Sequence, residues 1–203
     1  MQTLSKQQLR IKETQARLLS AAEEIFVRDG FESAQLDEIA AAAGRSKGAV
    51  YTHFKSKEDL FLALFEYRTR SYIDRLFDSL RKCTSRKQSM EAFRGFFVDL
   101  VQDRAWSVLT LEFKLFALRR PESKERFRKT FEMSKTNDDS IRDKVFGQLT
   151  REQKKDNDLS LIALGPVVSG LILESHFEPD ILSEKALRRL LGRIFDALFP
   201  ASS

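Results

Sequence analysis

The chain has 203 residues, of which 42% are hydrophobic and 32% charged, and a formal net charge of +5. That composition supports a buried core and excludes wholesale disorder. Glycine and proline together make only 12 residues, and 26 leucines outnumber 8 valines and 9 isoleucines, which leaves too few turn formers and branched residues for a sandwich or barrel.

The pattern predicts helices throughout. An amphipathic helix over about Ser5–Asp29 places Leu18, Ala22, Ile25 and Phe26 on one face, with Gly30 suited to end it. A second helix covers about Leu36–Ala43, with Leu36, Ile39, Ala40 and Ala43 inward. Gly44-Arg45-Ser46 breaks the run. Ser46 then caps a short third helix over Lys47–Phe54, and Ser56, three residues before Asp59, caps a long fourth helix over Lys57–Leu80. Further helices are expected over Arg86–Gln102, Ala105–Arg119, Glu122–Gln148, Leu159–His176 and Glu184–Leu198. Their separators are Cys83-Thr84-Ser85, Pro121, the polar run Thr150 to Asp158, and Pro179. The expected architecture is all-α with about nine helices.

The segment Leu36 to Lys57 is the most informative. Two helices of about eight residues joined by a glycine-containing three-residue turn form the pattern of a helix-turn-helix. Ala40 permits close crossing, Gly44 supplies positive φ, and Val50 and Phe54 anchor the third helix. Its opposite face carries Lys47, Gly48, Tyr51 and Thr52, with His53 at the edge. From Ile39 to Lys57 there is no acid, while Arg45, Lys47, Lys55 and Lys57 are basic. A short acid-free helix presenting a cation, hydroxyls and an imidazole suits a DNA major groove.

At these residues the sequence resembles the TetR family of transcriptional regulators. The resemblance runs from Ala21-Ala22-Glu23-Glu24-Ile25-Phe26 through Gly30-Phe31, Ile39-Ala40, Ala43-Gly44, Ser46-Lys47-Gly48 and Tyr51-Thr52-His53-Phe54 to Lys57-Glu58-Asp59-Leu60. It covers about residues 14–62. It implies a DNA-binding domain over residues 1–56 and a helical ligand-binding and dimerisation domain over 57–203. By the same resemblance, Lys47, Gly48, Ala49 and Thr52 match base-facing positions, and Tyr51, His53 and Lys57 match phosphate-binding ones. Ala34 and Gln35 depart from the family's usual pair of hydroxyl residues ahead of the second helix, and Asp37 stands where some members place a DNA-reading side chain, so it either reads a cytosine N4 amine or points to water.

The implied protein is a cytoplasmic homodimer that represses transcription from a palindromic double-stranded operator and is released by a small-molecule effector. The alternative is a helical adaptor or ligand-binding protein without DNA binding. Phe65, Phe97, Trp106, Glu112, Phe113 and Phe116 are the candidate effector-pocket residues, the aromatic ones being alternatively plain core. Glu112 either orients a polar or cationic group of a largely apolar ligand or, like Lys114, reaches the surface or pairs across helices. Gly165, Ser169, Gly170, Leu187, Leu191, Ile194 and Leu198 are the candidate dimer-interface residues, with the last two helices either pairing as a four-helix bundle across two copies or merely closing the single chain. The fourth helix is the expected link between DNA and effector.

No cofactor or metal is expected. Cys83 stands alone, no His or Cys neighbours His176, and no nucleophile elbow or phosphate-binding loop occurs. An enzyme is not expected. Nor is a membrane partner: the uncharged stretch Leu159 to Leu173 is short for a bilayer, and the first nine residues are polar.

Overall fold

The computed structural model describes residues 5–134 and 139–200. These form ten α-helices: α1 (Lys6–Ser33), α2 (Leu36–Ala42), α3 (Lys47–His53), α4 (Lys57–Arg81), α5 (Arg86–Asp99), α6 (Arg104–Leu118), α7 (Pro121–Ser134), α8 (Asp139–Phe146), α9 (Arg151–Glu174) and α10 (Glu184–Leu198). A 3-10 turn, Leu100–Gln102, follows α5. No strand occurs among the described residues. The expected all-α class is observed.

Local chemistry sets many boundaries. Ser5 and Gln8 form a reciprocal capping box at α1, and Thr150 and Gln153 form another at α9. Ser46, Ser85 and Ser183 cap α3, α5 and α10 by accepting from the backbone N–H three residues on. Ser56 Oγ accepts from Asp59 N–H at 3.1 Å, as its spacing predicts.

Three boundaries differ from expectation. Gly30 does adopt positive φ (79°), but it kinks α1 rather than ending it, and one more turn follows. The polar run expected to separate helices forms the first two turns of α9, because the Thr150 box starts the helix there. That helix is 24 residues long, so shortness no longer argues against a bilayer. The single helix expected over Glu122–Gln148 is represented by α7 and α8, and its part over 135–138 lies outside the described residues.

The chain divides into two compact units. The first comprises Met1–Arg70 and Glu112–Lys135, the second Ser71–Leu111 and Thr136–Ser203. The helix-turn-helix therefore shares its unit with the first part of α4, the end of α6 and α7, so compactness does not follow the expected boundary after residue 56.

Four rings link the first unit's core. Phe31 meets Phe26, Phe61 and Phe113 at centroid distances of 5.7, 5.3 and 4.8 Å, and Phe61 stacks on Phe113 at 4.0 Å. Such pairs contribute about 0.5–1.5 kcal/mol each beyond area burial. Around them Leu18, Ile25, Ile39, Val50, Leu60 and Leu64 are almost wholly buried. Polar links also join α4 to α7: Ser123 donates to Glu58 at 2.7 Å, and Arg126 pairs with Asp59. The second unit packs Leu80, Val101, Leu164, Ile172, Leu187, Leu191 and Phe195 together, with Phe97, Phe146 and Phe199 among them.

Candidate nucleic-acid interface

The α2–α3 corner is built from local signals. Gly44 (φ 64°) lets the chain leave α2. Its N–H reaches Ala41 O at 2.9 Å, and Arg45 N–H reaches Ala40 O at 2.9 Å. Together these bonds make a Schellman closure, which satisfies two carbonyls at the end of α2. Ser46 then starts α3. Val50 and Phe54, 0% and 4% exposed, hold α3 to the core, which fixes the residues that face outward.

Lys47, Gly48, Tyr51 and Thr52 are exposed, while Ala49 and His53 are half-exposed. A Cβ added at Gly48 would meet only Ser46 Oγ, at 3.8 Å, so the surface there is open. Thr52 Oγ1 donates to Gly48 O at 2.9 Å, which leaves its lone pairs to accept. Asp37 is exposed to water but does not stand free. Its carboxylate pairs with Lys47 Nζ at 2.8 Å, and that hydrogen bond raises the Lys47 pKa.

Lys57 departs from expectation. Its ammonium does not project from the start of α4 as a phosphate contact would. It donates to Glu32 O at 2.6 Å and Ala34 O at 3.1 Å, and it lies 5.1 Å from the centroid of the Phe31 ring. Burial lowers its pKa, against the opposing fields of Glu32 and Glu112. The lysine anchors the α1–α2 junction, because unsatisfied carbonyls there offer it closer partners than solvent does. Gln35, just ahead of α2, supplies no side-chain cap. Its amide donates instead to Ser33 O at 2.9 Å.

The effector-pocket expectation needs two corrections. Glu112 does not face a ligand space: Oε1 accepts from Phe31 N–H at 2.7 Å and Glu32 N–H at 3.4 Å. Phe113 is fully buried as a core ring between Phe31 and Phe61. Of the others, Phe116 packs beside Phe31 with the Arg120 guanidinium 3.8 Å from its ring centroid. Phe65 is buried against Phe127. Phe97 lies near Phe195, and Trp106 is 7% exposed, both in the second unit. The sequence pattern does not reveal a cavity of about 600 Å³ in that unit, lined by Tyr72, Arg75, Leu76, Phe96, Leu100 and Asp103 among others.

The interface expectation also needs correction. Leu187 and Leu191 are 0% exposed within the chain's own core, so their side chains cannot meet a second copy. Ile194 and Leu198 are half-buried. Gly165 is exposed, Ser169 and Gly170 are half-exposed, and a Cβ at either glycine would meet nothing within 4 Å. On the same helix Leu159, Ile162 and Leu173 are exposed, and Phe177 and Ile181 follow it at 73% and 70% exposure.

Residues 18–64 match the family model described as bacterial regulatory proteins, tetR family. The chain is 37% identical over 90 residues to the transcriptional activator FasR of Mycolicibacterium smegmatis, covering 44% of this chain and 41% of FasR. The chain thus spans about two fifths of that relative's length. With the regulator TtgW of Pseudomonas putida it shares 33% identity over 114 residues, 56% of this chain and 69% of TtgW. Among solved structures, FadR from Bacillus subtilis in complex with stearoyl-CoA superposes with a TM-score of 0.63 at 18% identity, over 93% of this chain and 99% of that one. That likeness is one of fold. Such relatives are transcription regulators rather than enzymes. The chain belongs to the TetR family of helix-turn-helix transcriptional regulators.

Proposed function

We propose that the protein is a ligand-released repressor that binds a palindromic operator as a homodimer. The observation that carries this reading is the outer face of α3. Lys47, Gly48, Tyr51 and Thr52 stand exposed on a helix whose other side is locked by Val50 and Phe54. Lys47 would donate to guanine, Ala49 would meet a thymine methyl, and Tyr51 and His53 would hold phosphates. The second copy would cover the apolar face of α9 around Leu159, Ile162, Gly165 and Gly170, with Ile194 and Leu198 at the margin. A twofold arrangement would then set two α3 helices on successive major grooves, about 34–36 Å apart for one turn.

The effector we propose is a long-chain acyl amphiphile, since the FadR of similar fold binds stearoyl-CoA. The 600 Å³ space beside Tyr72 and Phe96 lies within the usual range for small-molecule sites, about 300–1,000 Å³. The protein would act in the cytoplasm, where operator DNA and acyl thioesters meet, with no membrane partner.

Fluorescence anisotropy with sheared genomic DNA at 50 and 200 mM salt tests the DNA reading. Affinity should fall steeply between the two, by about 10³-fold if some six phosphates are neutralised. An adaptor would show no such binding. Added stearoyl-CoA should release the DNA, whereas coenzyme A alone should not. Raised rather than lowered transcription from the bound site would make the protein an activator, as FasR is named.

A further inference from the structure

We propose that Glu112 is a positioning residue for the recognition head, clamping the Gly30–Ala34 junction together with Lys57 and so fixing where α2 begins. The consequence of the clamp rests on the proposed DNA binding, though its geometry does not.

The junction is one short peptide run held from both of its polar sides. Glu112 takes its N–H groups: Phe31 at 2.7 Å and Glu32 at 3.4 Å, both on Oε1. Lys57 takes its carbonyls: Glu32 at 2.6 Å and Ala34 at 3.1 Å. An anion therefore meets the donors, and a cation meets the acceptors. Bonds of this charge-assisted kind are roughly twice as strong as neutral ones. Between the two sets of bonds the Phe31 ring, 1% exposed, plugs into Phe61, Phe113 and Phe116.

The approach is close enough to dictate a residue. A Cβ at Gly30 would lie 2.8 Å from Glu112 Oε1, and Gly30 has φ 79° and ψ 166°. That conformation is essentially reserved for glycine. Gly30 thus both makes the kink and admits the carboxylate.

The helix downstream of the junction makes the clamp consequential. Helix α2 starts at Leu36, and its N-cap residue Gln35 forms no side-chain cap. A helix without that bond lacks one of the local devices that define its start. Its placement then rests on the packing of Ile39 and Ala40 and on the segment preceding it, which Glu112 grips from α6, 81 residues later in the chain. A change in α6 would reach the α2–α3 corner directly, without passing along α4.

The test compares wild-type protein with Glu112→Ala and Glu112→Gln by amide hydrogen exchange and operator anisotropy, well below the melting temperature. In Glu112→Ala the amides of Phe31 and Glu32 should exchange about tenfold faster or more, because both lose the acceptor that protects them, Phe31 in a part-buried position. The amides of Ile39 in α2 and of Ala43 at its C-cap should exchange faster as well, while that of Ile25, upstream of the kink, should not. Operator affinity should fall by a similar factor. Glu112→Gln keeps a neutral acceptor and should lie between wild type and Glu112→Ala in both readouts. If Glu112→Ala does not fold, an intermediate loss in Glu112→Gln still supports the clamp, and unchanged protection there overturns it. Faster exchange at Phe31 and Glu32 with undiminished α2 protection and operator affinity would reduce Glu112 to a local stabiliser and overturn the proposal. Failure of the wild type to bind any DNA would sink the proposed function instead. The exchange of α2 would still decide whether Glu112 positions it.

Discussion

Lys47 Nζ on the recognition helix lies 2.8 Å from the Asp37 carboxylate on the preceding helix. Both side chains are more than half exposed, and an exposed pair of this kind holds its partners weakly in water. If α3 enters the groove as proposed, Asp37 would act as a loose parking place, keeping the lysine at hand until a guanine offers two acceptors.

Lys47→Ala should weaken binding to the cognate site by about 10- to 100-fold and relax preference at one base position, the range of a single good base contact. Asp37→Asn should free the lysine and raise affinity for all sequences, narrowing the ratio of specific to non-specific binding. Competition anisotropy with a substituted operator series measures both. Equal losses on every sequence in Lys47→Ala would mean that the lysine meets phosphate only.

Burial lowers the pKa of both Lys57 and Lys114. The sign comes from proton counts. Between each folded pKa and the ordinary lysine value of 10.5, the unfolded chain binds more protons than the folded one, so stability rises with pH across that window. At lower pH both states carry the charge, and folding bears the full cost of burying it. Lys114→Met should therefore stabilise the protein at pH 7, and its advantage should shrink as pH climbs toward 10.5. Thermal melts of both proteins from pH 7 to 10.5 would show the two curves converging. A constant offset would place the cause in packing rather than charge.

Two glycines of positive φ should respond differently to substitution. Gly30→Ala meets both a forbidden conformation and the Glu112 carboxylate. It should cost at least about 1–3 kcal/mol, the usual scale for a residue held in such a region. Gly44 has φ 64° and open space around a new Cβ. Gly44→Asn should cost well under that, because asparagine visits the left-handed region readily. Denaturant unfolding of the pair checks the ranking, and equal losses would argue that the Glu112 approach is not tight in solution.

Local signals are legible in the sequence, and distant ones are not. The α2–α3 corner can be read because Ala40, Gly44, Ser46 and Val50 each act within a few residues of where they stand. Glu112 stands out as a charge in an apolar helix, but its partner lies 81 residues away. Sequence offers a ligand, the surface or a partner on another helix for such a charge, and the structure supplies the backbone of Phe31 on another helix. Lys57 escapes for the same reason: its acceptors, Glu32 and Ala34, are carbonyls that no side-chain pattern reveals. In α10 the apolar stripe is plain, but periodicity does not say what covers a stripe, and Leu187 and Leu191 turn inward. Thr150 and Gln153 do spell a capping box. It is obscured by the charged residues between Arg151 and Asp158, which make a polar first turn look like a linker.

Assembly offers the cleanest separation of fold from function. The exposed face of α9 carries Leu159, Ile162 and Leu173 beside two glycines that have no neighbour over them in the single chain. Apolar side chains left in water on a helix this long gain free energy by meeting another apolar surface, at about 25 cal/mol per Å² buried. A second copy would supply such a surface with twofold symmetry. Gly170→Leu adds bulk where a Cβ meets nothing within 4 Å in the single chain, and where a close helix pair would have no room for it. The variant should keep its helical circular dichroism and its melting cooperativity, sediment as a monomer, and lose most operator affinity, because one α3 alone makes too few contacts. Ile162→Glu should do the same by burying a charge at the seam. Intact dimers from both variants would move the interface off this face of α9. A monomer that partitions onto lipid vesicles would show that the apolar face seeks a bilayer rather than its twin.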